Sequence, residues 1–297
     1  MKVLVLGGSG FVGSKLVNIM FNDGYEVSYT FNKTRLKIED CKEFKLDVSD
    51  RQAMFEIVKE VNPDVVIHTI ALRGTDLCET NRGPAYKINV EGTQNIIDAC
   101  KITNSFIVYI STAAVFDGRQ KKIFTESDKS SPVNYYAKTK LEGEKLISSS
   151  NLPFLIIRTD QLYGWTKHGQ HENTVTKDLE KLKKGEEVYE INDWYNNPTL
   201  ADNAAQVITK LITKRKTGIY HVVGSDFLNR VEWGIKIAEV FGLDKTLIKS
   251  INSQKLNLPA KRANANLSNK KVQKDSGIQL LSVEEGLKFM YNQTDTV

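Results

Sequence analysis

Short apolar, β-branched runs alternate along the first half of the chain with stretches whose apolar residues return at helical spacing. Lys2–Leu6 (KVLVL) is such a run, and Leu16, Val17 and Met20 carry the helical spacing through Ser14–Asp23. The alternation continues through Glu26–Phe31 (EVSYTF), a third short strand ending at LDVSD, a helix to about Val61, and the buried-type strand Val65–Thr69 (VVIHT). Ser49 and Gln52 have capping-box spacing for that helix, and Pro63 closes it. Pro84–Ile102 predicts a long helix, Ser105–Ile110 a fifth strand and Phe154–Thr159 (FLIIRT) a sixth. Strands that alternate with helices predict an α/β fold, a Rossmann-type doubly wound parallel sheet.

Beyond residue 160 the rhythm loosens. Helices are predicted over Asn173–Lys184, Leu200–Lys214 and Arg230–Phe241, strands over Val188–Ile191 and Gly218–Val222, and a last helix capped by Ser282 and Glu285 to about Tyr291. A main domain over 1–160, carrying the cofactor and the chemistry, is therefore expected with a smaller carboxyl-terminal α/β lobe over 161–297. That lobe should be woven into the sheet's carboxyl side and supply a substrate pocket rather than fold alone.

Composition narrows the class of protein. Of 297 residues, 40% are hydrophobic and 26% charged, ordinary values for a globular chain long enough to bury a large core. The net charge of +5 is spread along the sequence, and no aromatic residues interleave with the basic stretch Lys261–Lys274, so no nucleic-acid partner is expected. The three cysteines, Cys41, Cys78 and Cys100, are far apart and form no metal-type pair, which favours free thiols in a reducing cytoplasm. No apolar run approaches the roughly 18 residues of a membrane span, and the first strand leaves no room for a cleaved signal.

The chemistry begins at the first turn. GGSGFVG places Gly7, Gly10 and Gly13, with Phe11 and Val12, between a strand and a helix. Glycines allow the tight turn and close backbone approach, and free N–H groups at the helix start suit a pyrophosphate. At the end of the second strand an acid would select NAD through the ribose 2′-hydroxyl. The chain instead reads Phe31, Asn32, Lys33, Thr34, Arg35, so NADP(H) is favoured over NAD(H). Asp47 and Val48 are placed to meet the adenine edge, and Ile70, Ala71, Leu72 and Arg73 form the loop a cofactor would cross. His68, inside a strand, reads as structural. His168 and His171 form HxxH in a loop with no carboxylate cluster beyond Glu172, and no metal site is expected. Ser111 and Thr112 end the fifth strand, where open α/β sheets place their chemistry. Tyr136 and Lys140 are roughly one helical turn apart and should share a face. A cation beside a phenol lowers the phenol's pKa and makes it a usable proton donor.

These segments together resemble the extended short-chain dehydrogenase/reductase family. The likeness rests on GGSGFVG, LDVSD, NVEGT and YAKTK (Tyr136 to Lys140), and covers nearly the whole chain. ISTAAVFDG, PVNYYAKTKLEGE, IIRTDQLYG, WYNNPTLADNAAQVI, GIYHVVG and LPAKRANANLSNKKV are most similar to the dTDP-4-dehydrorhamnose reductase subfamily. The resemblance implies Thr112, Tyr136 and Lys140 as catalytic residues, a nucleotide-linked 4-keto sugar as substrate, and a homodimer. It also implies substrate contacts at Ala113, Gln161 and Asn173. Arg158 is open between a diphosphate contact and a structural ion pair. The chain departs from the family pattern where the sugar should lie. Ala113 and Ala114 replace an acid and an aromatic, and Gln161 replaces a tryptophan. The missing acid argues against a 4,6-dehydratase. Two other functions stay open: a cofactor-binding regulatory subunit resembling the methionine adenosyltransferase β subunit, and a sugar-nucleotide epimerase.

Overall fold

The computed structural model describes residues 1–118 and 122–293. The first half contains β1 (Lys2–Leu6), α1 (Phe11–Asn22), β2 (Glu26–Phe31), β3 (Lys42–Lys45), α2 (Arg51–Val61) and β4 (Val65–His68). These are followed by α3 (Thr75–Thr80), α4 (Arg82–Tyr86), α5 (Gly92–Thr103), β5 (Phe106–Thr112), β6 (Ile123–Phe124), α6 (Tyr135–Ser148) and β7 (Phe154–Thr159). The second half adds β8 (Leu162–Tyr163), α7 (Thr174–Lys183), β9 (Val188–Ile191), β10 (Tyr195–Asn196), β11 (Thr199–Leu200), α8 (Ala201–Thr213) and β12 (Gly218–His221). It ends with β13 (Leu228–Asn229), α9 (Arg230–Val240), β14 (Ile248–Ile251), β15 (Asn266–Leu267), α10 (Lys270–Ser276) and α11 (Val283–Asn292).

Seven of these strands form one parallel sheet in the order β3-β2-β1-β4-β5-β7-β12. The order reverses direction between β1 and β4, and a crevice opens there at the carboxyl ends of the strands. Continuous apolar strands such as Val65–His68, buried at every position, are what a sheet covered on both faces requires. On one face Leu16, Val17 and Met20 of α1 pack with Ile208 and Leu211 of α8. On the other, Met54 and Val58 of α2 pack with Ile96 of α5 and Ile147 of α6. Helix α8 and strand β12 thus come from beyond residue 160 yet complete the main sheet and its cover. An ion pair between Lys15 of α1 and Asp202 of α8, at 2.8 Å, fastens the two halves. A separate cluster of Val175, Leu179, Trp233, Val283 and Leu287 forms the core of the smaller lobe.

The structure corrects two local expectations. The helix expected from Ser49 begins one residue later: Asp50 caps it by accepting from the Ala53 N–H at 3.0 Å. Ser49 is spent instead, donating its hydroxyl to Asp47 at 2.8 Å. The single helix expected over Pro84–Ile102 is interrupted by a π-helical turn at Lys87–Glu91. Such turns often mark functional sites, and here the buried side chain of Asn89 is committed to its neighbours. It accepts from the Leu72 N–H at 2.7 Å and donates to the Leu72 carbonyl and to Thr139.

Candidate active site

The crevice at the strand ends is a cleft of about 1400 Å³, lined by the glycine turn, the end of β2, the end of β5 and the first turns of α6 and α7. Its floor begins at Gly7–Gly13. Helix α1 starts after Gly10, which supplies no side-chain cap, so the N–H groups of its first turn lack intrahelical partners. A Cβ at Gly13 would lie 2.2 Å from the Gly7 carbonyl oxygen, so only glycine lets the turn fold back on the helix. Unpaired donors and the positive helix end suit a pyrophosphate there.

Asn32, Lys33 and Thr34 line the cleft at the end of β2, together with Asp47 and Val48. Asp47 is fixed by bonds from Ser49 and Asn32, which also hold its carboxyl below the usual range. Arg35 does not line the cleft: its guanidinium pairs with Glu43 of β3. The basic character read at this loop therefore reduces to Lys33. Ala71, Leu72 and Arg73 line the cleft, and Arg73 faces Tyr136.

At the other end Thr112, Tyr136 and Lys140 come together. Asn134 caps α6 by accepting from the Ala137 N–H at 2.9 Å, and its amide donates to the Lys261 carbonyl, so the helix start is fixed from two sides. Thr112 accepts from the Ala114 N–H at 3.2 Å, which leaves its own hydroxyl proton free for the cleft. The expected pairing of Tyr136 with Lys140 takes a different form. The ammonium of Lys140 is buried and lies 3.9 Å from the centre of the Tyr109 ring. Gly143 makes this packing possible, because a Cβ there would be 2.4 Å from the Tyr109 hydroxyl. Burial lowers the Lys140 pKa to about 7, opposed by Glu144 one turn on. Tyr136 is pushed up to about 12, mainly by burial and then by Cys78; Arg73, not Lys140, is the cation that lowers it.

The far side of the cleft is built in part by residues the sequence did not single out. Arg230, at the start of α9, is held by Glu190 through two bonds of 2.9 and 3.1 Å and donates to Thr174 at 2.6 Å. Its guanidinium lies near Trp194, as does that of Arg262, which pairs with Asp76. Asp160 accepts from the Asn197 N–H at 2.9 Å, and burial raises its pKa to about 7. Gln161 has φ +34°, a left-handed conformation, and Ala113 lines the same region. Asn173 forms a capping box at α7 and donates to the Gly164 carbonyl, so its amide is already committed. Arg158 resolves as a structural group, buried and paired with Glu144. His68 is buried and shares a bond with Thr93. Among the described residues, no group of three His, Cys, Asp or Glu side chains is arranged to hold a metal ion.

The sequence model of the family described as RmlD substrate binding domain matches residues 1–296. The chain belongs to this family. Two curated relatives of the chain carry different names. The dTDP-4-dehydrorhamnose reductase of Aggregatibacter actinomycetemcomitans is 29% identical, with 97% of each chain covered. Methionine adenosyltransferase 2 subunit beta of Bos taurus is 28% identical over 84% of this chain and 75% of its own. Among solved structures, the dTDP-4-dehydrorhamnose reductase of Bacillus anthracis in complex with NADP superposes with a TM-score of 0.87 at 25% identity, covering 98% of this chain and 99% of that one. The chain's relatives thus include proteins named as reductases and others named as a subunit. Some of the residues missed here stand beside recognisable signals: Asn89 opens NVEGT and Asp160 precedes Gln161. Arg73 stands in the loop read as the cofactor crossing, whereas Arg230 had no local signal, because only the fold turns it toward the cleft.

Proposed function

We propose that this chain is an NADPH-dependent reductase of a nucleotide-linked 4-keto-6-deoxy sugar, most like dTDP-4-dehydrorhamnose reductase. The observation that carries the reading is the convergence of Thr112, Tyr136 and Lys140 on the cleft that the glycine turn opens. Bound NADPH supplies a hydride for the C4 ketone. Tyr136 gives its proton to the developing alkoxide, and a phenol with a pKa near 12 still holds that proton at neutral pH. Thr112 donates its free hydroxyl to the same oxygen. Lys140 holds the nicotinamide ribose and contributes positive charge beside it. Arg73 supplies the positive charge that acts on Tyr136. The basic Lys33 and the lack of an acid at the end of β2 support NADP(H) over NAD(H).

A second reading is a cofactor-binding regulatory subunit. Ala113, Ala114 and Gln161, which thin the sugar-facing wall, favour it. A screen of 4-keto sugar nucleotides followed at the NADPH absorbance separates the two. Turnover with a dTDP-4-keto-6-deoxy sugar, abolished in Tyr136→Phe while NADPH still binds, is expected of the reductase. No turnover with any keto sugar nucleotide, together with tight co-purification of a second enzyme, would replace it with the regulatory reading. We also propose a homodimer in the cytoplasm, with Cys41, Cys78 and Cys100 as free thiols. No helix among the described residues is long and apolar enough to cross a membrane.

A further inference from the structure

The segment between β8 and α7 crosses from the smaller lobe to the glycine turn. Gln170 makes that crossing with both ends of its side chain. Its amide nitrogen donates to the Ser9 carbonyl and to the Ser14 hydroxyl, each at 3.0 Å. Its amide oxygen accepts from the Lys167 N–H at 3.0 Å, and its backbone N–H donates to the Lys167 carbonyl at 3.0 Å. The turn 167–170 is thus closed on itself and pinned to the loop where a pyrophosphate would sit.

A second contact lies beside the first. Gly169 has φ +81°, and a Cβ built on it would come 2.8 Å from the Thr34 methyl group, so this turn also rests against the end of β2. Gly169, Gln170 and His171 line the same cleft as Gly10, Phe11 and Asn32. At its other end the segment runs into Asn173 and Thr174, and Thr174 accepts from Arg230 in the substrate pocket. One stretch of chain therefore touches the pyrophosphate turn, the adenosine end and the substrate side.

We propose that Gln170 is a positioning residue whose bonds hold residues 164–172 as a clasp over the dinucleotide, which opens for it to enter and couples its binding to that of the nucleotide sugar. This rests on the reductase reading for the identity of the dinucleotide. Bonds that bridge the two lobes above a bound ligand must break before it leaves, so they act on the dissociation rate more than on the association rate. Reciprocity requires that a ligand ordering Asn173–Thr174 strengthen dinucleotide binding by the factor with which the dinucleotide strengthens that ligand.

The test is stopped-flow release of NADPH from wild type, Gln170→Ala and Gln170→Glu, with and without dTDP, alongside the melting temperature of each protein without ligand. Losing the bridge should speed NADPH release about tenfold in Gln170→Ala, the size of a net hydrogen bond or somewhat more. Gln170→Glu, which sets a negative charge beside the pyrophosphate, should release faster still. In both variants dTDP should no longer slow release. Wild-type release rates in the variants, with or without a change in melting temperature, would overturn the clasp while leaving the reductase reading intact. Absence of NADPH binding in the wild type would overturn both.

Discussion

Glu144 of α6 and Arg158 of β7 form a buried ion pair behind the end of the cleft lined by Thr112, Tyr136 and Lys140, with Nη2 to Oε2 at 2.7 Å and Nε to Oε1 at 3.0 Å. Ser111 donates to the same carboxylate, and Ser111 and Arg158 are register partners on adjacent strands. The pair thereby fixes α6, which carries Tyr136 and Lys140, to the strand that ends in Thr112.

Removing one partner leaves the other charge buried without compensation, which costs about 3–5 kcal/mol. Arg158→Met should lose that much stability in urea denaturation, and the double change Arg158→Met with Glu144→Leu should recover most of it. A single variant within about 1 kcal/mol of wild type would show that the pair does not tie helix to sheet.

The cofactor loop separates two cations that look equivalent in the sequence. Lys33 lines the cleft and Arg35 is turned to Glu43. Lys33→Ala should weaken NADPH about tenfold, as expected for one charge-assisted hydrogen bond, and leave NADH nearly unchanged. Arg35→Ala should leave both affinities nearly unchanged. Equal losses for NADPH and NADH in Lys33→Ala, read by fluorescence titration, would remove the assignment of Lys33 to the 2′-phosphate.

These cases show where sequence is informative. The sheet was legible because strands buried on both faces are continuous apolar runs, and the glycine turn because its backbone cannot tolerate a Cβ at Gly13. The shared face of Tyr136 and Lys140 was legible from spacing, while the Asn134 cap that starts α6 is a local bond the sequence reading did not use. Long-range pairings were not legible. Arg35 with Glu43, Arg230 with Glu190 and Gln170 with Ser9 join residues that the chain itself keeps apart, and nothing in the local pattern names the partner. The chemistry of Tyr136 and Lys140 was only half legible: the shared helix follows from spacing, whereas burial, which moves both pKa values most, is a property of the packed fold.

Asp178 tests the substrate side. It is buried, its Oδ2 has no hydrogen-bond partner, and burial with the neighbouring Glu190 raises its pKa to about 7. A carboxyl raised in the folded state keeps a proton that the unfolded chain has lost, so stability falls as pH rises from about 4 to about 7. Asp178→Asn should therefore raise the melting temperature at pH 8 and have little effect at pH 4. The same gain at both values would show that the carboxyl's charge is not the cause.

Lys140 gives the opposite pH signature and joins stability to activity. Its folded pKa is lowered from 10.5 to about 7, because burial disfavours the ammonium more than Glu144 supports it. Above about 10.5 neither state of the chain is protonated there and the burial penalty vanishes; at and below about pH 7 the folded protein bears it in full. Lys140→Met should accordingly stabilise the ligand-free protein at pH 6, on the order of 2–4 kcal/mol, with the advantage shrinking as pH rises through 7 to 10.5. The same variant should lose turnover, since methionine cannot hold the ribose. A group that lowers stability and yet is needed for the reaction is the expected trade at a catalytic site. If Lys140→Met is less stable than wild type at pH 6 in denaturant titrations, its packing on the Tyr109 ring outweighs the cost of burying its charge, and the ammonium is held there by that contact.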